Sequence, residues 1–168
     1  MILVSAALRL RLYQAAYGWT ELRFYIYATI AWMAILIGGG VVLLVRDRLR
    51  WAAHLMAISA VAVLVVANVV GPQRHVAEQN VARLLDPALV PEDGRAGLDL
   101  DYLRWLGDDA VPALVLALPA LDAYDQGLVM DELQARWRAL NEPEVTVWPA
   151  WNLTRERVRD ALRPLFGH

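Results

Sequence analysis

The sequence has 168 residues, and 58% of them are apolar, whereas a typical soluble domain is about 45 to 50% apolar. It contains no Cys, and all sixteen basic residues are Arg. Disulfides, thiolate-bound metals, thiol nucleophiles and Schiff-base lysines are therefore excluded.

The charges divide the chain into two parts. Residues 1–71 contain six Arg against Glu21 and Asp47, a net charge of +4, and residues 72–168 contain ten Arg against sixteen acids, a net charge of -6. The first part is basic and apolar, and the second is acidic. Because acids outnumber Arg in the second part, the sequence predicts no nucleic acid partner.

The segment 1–21 begins apolar and then gains Arg9 and Arg11. A signal peptide carries its positive charge before the apolar run, so this order of residues is not that of a signal peptide. The segment predicts either an interfacial helix or the truncated end of a further membrane helix that began upstream.

Two long uncharged stretches follow, 24–45 and 51–71. As helices they reach about 33 and 31 Å, enough to cross a hydrocarbon core of about 30 Å. The five-residue loop between them permits only an antiparallel connection, and Pro72 ends the second stretch. The sequence therefore predicts a two-helix transmembrane hairpin over residues 22–71.

Small residues are expected to bring the two helices together, because lipid provides no hydrophobic drive for helix pairing. The predicted pairing faces contain Ala28, Ala31, Ala34 and Gly38 in the first helix, and Ala53, Ala57, Ala60 and Ala67 in the second. Gly39 and Ser59 lie off these faces, and this surplus of small surface predicts further transmembrane helices as partners. Neither span contains a carboxylate, so no ion or proton path is predicted through the hairpin alone.

Residues 72–168 predict an acidic helical domain outside the membrane, because apolar residues recur there every three to four positions. The predicted helices are 72–85, 100–106, 111–118, 124–140 and a last helix from about 154 to 162. Asp99 is expected to cap the second of these helices, and Asp108 or Asp109 the third. Residues 145–151 predict irregular structure or one short strand. The fold class predicted for the whole chain is all-α, a transmembrane helical hairpin followed by a small water-soluble helical domain.

Two details of these helices follow from the usual rules for charge and proline. In 124–140, the acids Asp131 and Glu132 and the bases Arg136 and Arg138 are expected to point outward. Pro164 and Gly167 are expected to end the last helix; these positions are read from the sequence.

Residues that could support catalysis or metal binding are few. The acid pairs Asp99/Asp101 and Asp108/Asp109 lie at predicted helix starts, where capping accounts for carboxylates. His75 has no second ligand at metal-binding spacing on its own segment except Glu78. Phosphate loops, nucleophile elbows and zinc-protease motifs are missing from the sequence. No catalytic residue, cofactor or metal is therefore predicted.

Four segments share landmarks with one protein family. These landmarks are Arg9-Leu10, Ala16-Tyr17-Gly18, Thr20 and Leu22-Arg23, then Pro72, Val76-Ala77, Asn80 and Arg83, then Leu98-Asp99, Asp101-Tyr102-Leu103 and Ala110 to Leu114, and finally Trp148 with Trp151-Asn152-Leu153. Together they resemble the C-terminal module of bacterial multi-spanning membrane proteins of domain of unknown function (DUF) 4153 and 4173 type. Members of that family are usually longer, so the resemblance implies a fragment or short form.

The resemblance implies a location and a fold, and it brings no established activity. It implies a candidate motif at the membrane boundary, formed by Tyr17, Gly18, Thr20, Arg23, Asn80 and Arg83. The resulting hypothesis is a noncatalytic, membrane-anchored interaction or assembly module in the bacterial inner membrane, with two spans. The alternative is a component of a membrane enzyme or transporter whose active groups lie in missing upstream spans.

The arginines also predict an orientation. Five of them flank the side of the two termini, and three lie in the hairpin loop. The positive-inside rule therefore favours termini in the cytoplasm.

Overall fold

A computed structural model describes residues 2–94, 97–141 and 153–167. In these ranges every regular element is an α-helix or a short 3-10 turn, so the all-α prediction is confirmed. The chain divides into two compact units, Met1–Pro72 and Gln73–His168. The predicted strand in 145–151 lies outside the described residues.

The first unit contains three helices, α1 (Ile2–Tyr17), α2 (Glu21–Val45) and α3 (Ala52–Val70). The segments Glu21–Val45 and Leu49–Val70 are long and apolar enough to cross a membrane by length and composition. Between α2 and α3 the chain reverses through a turn at positive φ and a 3-10 turn. The two helices contact each other, so the predicted helical hairpin is confirmed.

The pairing face of this hairpin differs from the one that we expected. A Cβ atom on Gly39 would lie 2.6 Å from Cδ2 of Leu55, so Gly39 faces α3 directly. Ser59 is 7% exposed and accepts a hydrogen bond of 3.0 Å from the Trp32 indole. Both Gly39 and Ser59 therefore lie on the pairing face, and the prediction that they lie off it is wrong.

Several alanines of the predicted faces point away from the helix pair. Ala31, Ala34, Ala53 and Ala57 are exposed, and a Cβ atom on Gly38 would meet nothing within 4 Å. The side of α2 that contains Trp32 makes the contact instead, because the Trp32 indole donates a hydrogen bond to Ser59 on α3. Small residues alone did not identify the interface.

The second unit is built from α4 (Pro72–Leu85), α5 (Leu100–Trp105), α6 (Val111–Ala117), α7 (Ala123–Asn141) and α8 (Leu153–Phe166). Its core lies where α8 contacts both α6 and α7. The largest side chains that are fully buried are five leucines, Leu103, Leu106, Leu114, Leu133 and Leu162. Pro72 begins α4 and belongs by contacts to the first unit.

The ends of these helices follow the sequence only in part. Asp99 caps α5 as predicted, since its carboxylate accepts from the Tyr102 N–H at 2.9 Å. Asp108 and Asp109 instead lie in a 3-10 turn before α6 and make no side-chain cap there. The Asp109 carboxylate accepts a hydrogen bond from Thr154 of α8 at 2.9 Å. The capping prediction for this pair is therefore wrong, because a tertiary partner engages the carboxylate.

Two further expectations about the second unit are corrected. Pro164 does not end α8, which continues to Phe166 with the proline inside its last turn. The Arg136 side chain, expected to point outward, is only 12% exposed. Its guanidinium donates to the carbonyls of Gly107 at 2.6 Å and Arg104 at 2.9 Å, and its Nε donates to Glu132 at 3.1 Å.

Candidate functional site

Four residues of the candidate motif lie in the tight connection between α1 and α2. Gly18 has a φ of 80°, a left-handed conformation that a residue with a side chain rarely adopts. Its N–H donates to the Gln14 carbonyl at 2.9 Å, which ends α1. Gly18 is buried, so the chain reverses within a packed turn.

The start of α2 is fixed from the same turn. Thr20 is its N-cap, and the Thr20 hydroxyl accepts from the Arg23 N–H at 3.3 Å. The Arg23 guanidinium donates to the Gly18 carbonyl. Arg23 therefore connects the first turn of α2 to the end of α1, and the structure brings Gly18, Thr20 and Arg23 together.

Aromatic side chains surround this turn. The Tyr17 ring, which is 57% exposed, stacks on Tyr13 with ring centroids 6.0 Å apart. Trp19 lies against Tyr27 with centroids 5.5 Å apart. Tyr and Trp are the residues that accumulate at membrane–water interfaces, because their rings are amphipathic.

Helix α1 precedes the turn and contacts α2. No residue of α1 is fully buried in this contact. The sequence left open how the segment 1–21 is arranged, and its helix packs against α2.

The other two motif residues, Asn80 and Arg83, lie in the second unit on α4. They are three positions apart, so they occupy neighbouring places on one helix face, and both are partly buried. The apolar face of the same helix contains the buried residues Val76, Ala77 and Val81. That Asn80 and Arg83 act with the α1–α2 turn as one motif stays a prediction.

His75 in the first turns of α4 has an altered acidity. Burial lowers the pKa of His75 below its usual value of 6.5, while the charge of Glu78 raises it and that of Arg74 lowers it. Arg74 and Glu78 form an ion pair of 3.8 Å on the same helix. The imidazole is therefore neutral at physiological pH.

Sequence reasoning missed the polar connection inside the hairpin. The Trp32 indole donates to the Ser59 hydroxyl, which in turn donates to the Met56 carbonyl at 3.2 Å. A signal for it was present, because a Trp in the middle of an apolar span has an N–H that needs an acceptor, and Ser59 is one of few polar residues on the other span. This chain of bonds stabilises the pair and contains no titratable group.

The chemical capacity of the site is limited to hydrogen bonding and charge. Among the residues that the structure describes, no group of three or more His, Cys, Asp or Glu could hold a metal ion. The α1–α2 turn offers the Arg23 guanidinium and aromatic rings beside an apolar hairpin. Such a set can contact anionic or polar groups at a lipid surface.

Comparison with known protein families assigns the chain to one of them. The family described as "Domain of unknown function (DUF4153)" matches residues 1–117, more than half of the sequence, and the chain belongs to this family. No curated protein and no solved structure matches the chain.

Proposed function

We propose that this DUF4153 protein is a noncatalytic membrane module, anchored by α2 and α3, that assembles with other transmembrane helices. The observation that carries the proposal is the exposure of the hairpin. In the most apolar part of α2, 0% of the window is buried, and in the most apolar part of the second span, 6% is buried. A helix in the core of a soluble protein would be mostly buried. So much exposed apolar surface must instead be covered by lipid or by other helices.

A pair of arginine substitutions tests the membrane anchor. Val61 in the middle of α3 is 60% exposed, and Leu89 in the second unit is 52% exposed. If α3 spans a bilayer, Val61→Arg adds about 2.5 to 3.5 kcal/mol to the cost of insertion, whereas Leu89→Arg adds none. The measurement is the fraction of the full chain that stays in the membrane pellet after carbonate extraction.

Each outcome decides the matter. The proposal expects wild type and Leu89→Arg to stay in the pellet and Val61→Arg to be depleted from it. If carbonate releases the wild type, or if the two variants behave alike, the anchor is rejected.

The assembly part of the proposal rests on the exposed small residues of α2. Ala31, Ala34 and Gly38 follow one another at helical spacing, and no part of the described structure covers them. In lipid, such a surface lets a second helix approach closely. Its partners would be the helices of a longer family member, of another copy or of another subunit.

Two adjacent glycines separate assembly from hairpin formation. Gly38→Leu places its side chain in open space, so it should weaken crosslinking to partners in native membranes and leave the hairpin intact. Gly39→Leu collides with Leu55 and should disturb the hairpin itself. If Gly38→Leu leaves every crosslink unchanged, α2 does not assemble through this face.

The alternative, a component of a membrane enzyme or transporter, gives a different result in the same membranes. Its partner would be a helix with intramembrane Asp, Glu or His, since the uncharged stretches 24–45 and 51–71 contain no Asp or Glu. Identification of the crosslinked helix by mass spectrometry therefore distinguishes the two hypotheses.

A further inference from the structure

A groove of about 310 Å³ lies between α2 and α3, within the first unit. On α2 it is lined from Tyr25 to Trp32, and on α3 from Ala60 to Ala67, so it occupies the end of the hairpin that is closer to the α1–α2 turn. Alanines make the space, because Ala28, Ala60 and Ala67 leave the two helices without bulk to fill it. We call this space the boundary groove.

Two of the three polar side chains that line the boundary groove, Thr29 and Trp32, are already engaged. The Thr29 hydroxyl donates to the Tyr25 carbonyl at 2.8 Å, and the Trp32 indole N–H donates to Ser59 at 3.0 Å. The remaining lining is dominated by alanine, valine and leucine side chains. An occupant of the groove therefore gains contact with apolar carbon and finds no indole or threonine donor free, so it must itself be apolar.

The length of the groove limits its occupant. The seven steps from Tyr25 to Trp32 along α2 rise by about 10 Å, which is about two helical turns. A transmembrane helix is about 30 Å long and packs against its partners over several turns. Farther along the hairpin, the contact between Gly39 and Leu55 closes the gap between the two helices. The groove is thus too short for a transmembrane helix, but it can admit part of a single alkyl chain.

The depth of the groove follows from the length of α2. Its 25 residues reach about 37 Å, about 7 Å more than the hydrocarbon core. Arg23 lies in the first turn of α2, and a guanidinium is stable only near the headgroups. The surplus length of α2 therefore lies at its start, and the hydrocarbon begins close to Tyr27. The boundary groove opens at this level and runs inward.

We propose that the boundary groove holds one acyl chain of an anionic phospholipid, with the lipid headgroup at the level of Arg23. The proposal rests on the proposed membrane anchor. The sign of the headgroup charge follows from the sequence on that side, where residues 1–23 contain three Arg and one acid. A negative headgroup is attracted there, and its chain then enters an apolar space of matching depth.

Photolabelling from the lipid chain tests this proposal on the full-length protein. The chain is reconstituted in mixed vesicles of phosphatidylglycerol and phosphatidylcholine with identical acyl chains, and one lipid at a time carries a diazirine in its chain. Because all basic residues are Arg, trypsin gives fragment 24–46 with one wall of the groove and fragment 51–74 with the other. Mass spectrometry then locates the label within each fragment.

We expect the phosphatidylglycerol label to be enriched about tenfold at Ala28 and Ala60 over the exposed Ala34 and Ala57. The phosphatidylcholine label should be spread over all exposed positions. Equal labelling of groove and exposed alanines, or equal patterns from the two lipids, would overturn the proposal. So would crosslinks from the groove to a second copy of the protein.

A variant in which the groove is filled by a larger side chain provides a second test. Ala60→Leu places three more carbon atoms in the groove and should bring the labelling of Ala28 down to the level of exposed Ala34. Ala57→Leu adds the same bulk on the exposed side of α3 and should change nothing. If Ala28 is still labelled in Ala60→Leu as in the wild type, the proposal is contradicted. If that variant loses its hairpin, the labelling pattern of the wild type alone decides whether the groove binds the acyl chain. Carbonate extraction of the same samples reports separately on the anchor, so an integral protein with uniform labelling rejects the groove alone.

Discussion

At the scale of single residues, the hairpin contains one interhelical hydrogen bond whose loss can be measured. Trp32 donates to Ser59 across the two helices at 3.0 Å, and Ser59 donates to Met56 within α3. In a bilayer the indole N–H has no water as a substitute partner, so the bond ties the helices at one defined register.

Removing the acceptor should loosen the hairpin. We expect Ser59→Ala to destabilise it by about 0.6 kcal/mol, the mean for such bonds, and by no more than about 1.7 kcal/mol. Thr29→Val is the matched control, because the Thr29 hydroxyl bonds only to its own helix. The measurement is the unfolding transition of the chain in mixed micelles with increasing SDS, and Ser59→Ala indistinguishable from Thr29→Val would contradict it.

His75 predicts a dependence of stability on pH. Its folded pKa lies below the unfolded value of 6.5 because the imidazole is partly buried. The unfolded chain therefore binds the proton more readily, and this residue causes stability to fall as the pH drops below 6.5, until the pH is below the folded pKa.

Two substitutions check that sign by thermal unfolding at a series of pH values. His75→Gln should reduce the loss of stability on the acid side. Glu78→Gln should enlarge it, because Glu78 raises the pKa of His75 and its removal lowers that pKa further. Parallel curves for wild type and His75→Gln would show that His75 does not contribute.

At the scale of elements, Arg136 connects α7 to the end of α5. Its guanidinium donates to two backbone carbonyls, those of Arg104 and Gly107, and to Glu132. Arg104 also bonds to Glu132 at 3.3 Å. The planar guanidinium suits several acceptors at once, which a lysine ammonium on a flexible stem would not reproduce.

Loss of this connection should release α5. We expect Arg136→Met to destabilise the second unit by about 2 kcal/mol, because two carbonyls and a carboxylate lose a charged donor. Arg136→Lys should recover only part of it. Arg138→Met is the control, since Arg138 is exposed on the same helix. Hydrogen exchange of the full chain should show faster exchange in Leu100–Trp105 for Arg136→Met than for Arg138→Met, and equal exchange would contradict the role of Arg136.

The sequence predicts local features of these elements better than tertiary ones. Asp99 was identified correctly because a cap depends on residues within one turn. Asp109 and Arg136 were misassigned because their partners lie 45 and about 30 positions away. The rule that charges face water does not apply where distant carbonyls provide acceptors.

The hairpin interface shows a second limit of sequence reasoning. A helix that is apolar on every side has no contrast between faces, so α2 offers two helical stripes that look equally suitable. The stripe with Ala31, Ala34 and Gly38 has more small residues, yet the stripe with Trp32 and Gly39 makes the contact. Four of the six motif residues lie within the seven positions from Tyr17 to Arg23, so their proximity in the α1–α2 turn follows from the sequence alone. The boundary groove depends on packing that periodicity does not specify.

At the scale of the whole molecule, the positions of the arginines predict how the chain lies in the membrane. Three arginines lie in α1 and in the first turn of α2, namely Arg9, Arg11 and Arg23, and further arginines follow the hairpin in α4. The loop between α2 and α3 contains three. Positive residues are retained in the cytoplasm. The excess therefore favours cytoplasmic termini and a hairpin loop on the outer side.

Single cysteines can report this orientation without background, because the chain has no Cys of its own. Leu49→Cys lies in the turn between α2 and α3, and Glu92→Cys lies in the exposed stretch after α4. Neither substitution changes an arginine, so the charges that set the orientation are preserved. In intact cells, an impermeant maleimide should label position 49 and reach position 92 only after lysis. The reverse pattern would place the termini outside, and it would show that the dense arginines of the short loop outweigh the larger number at the other end.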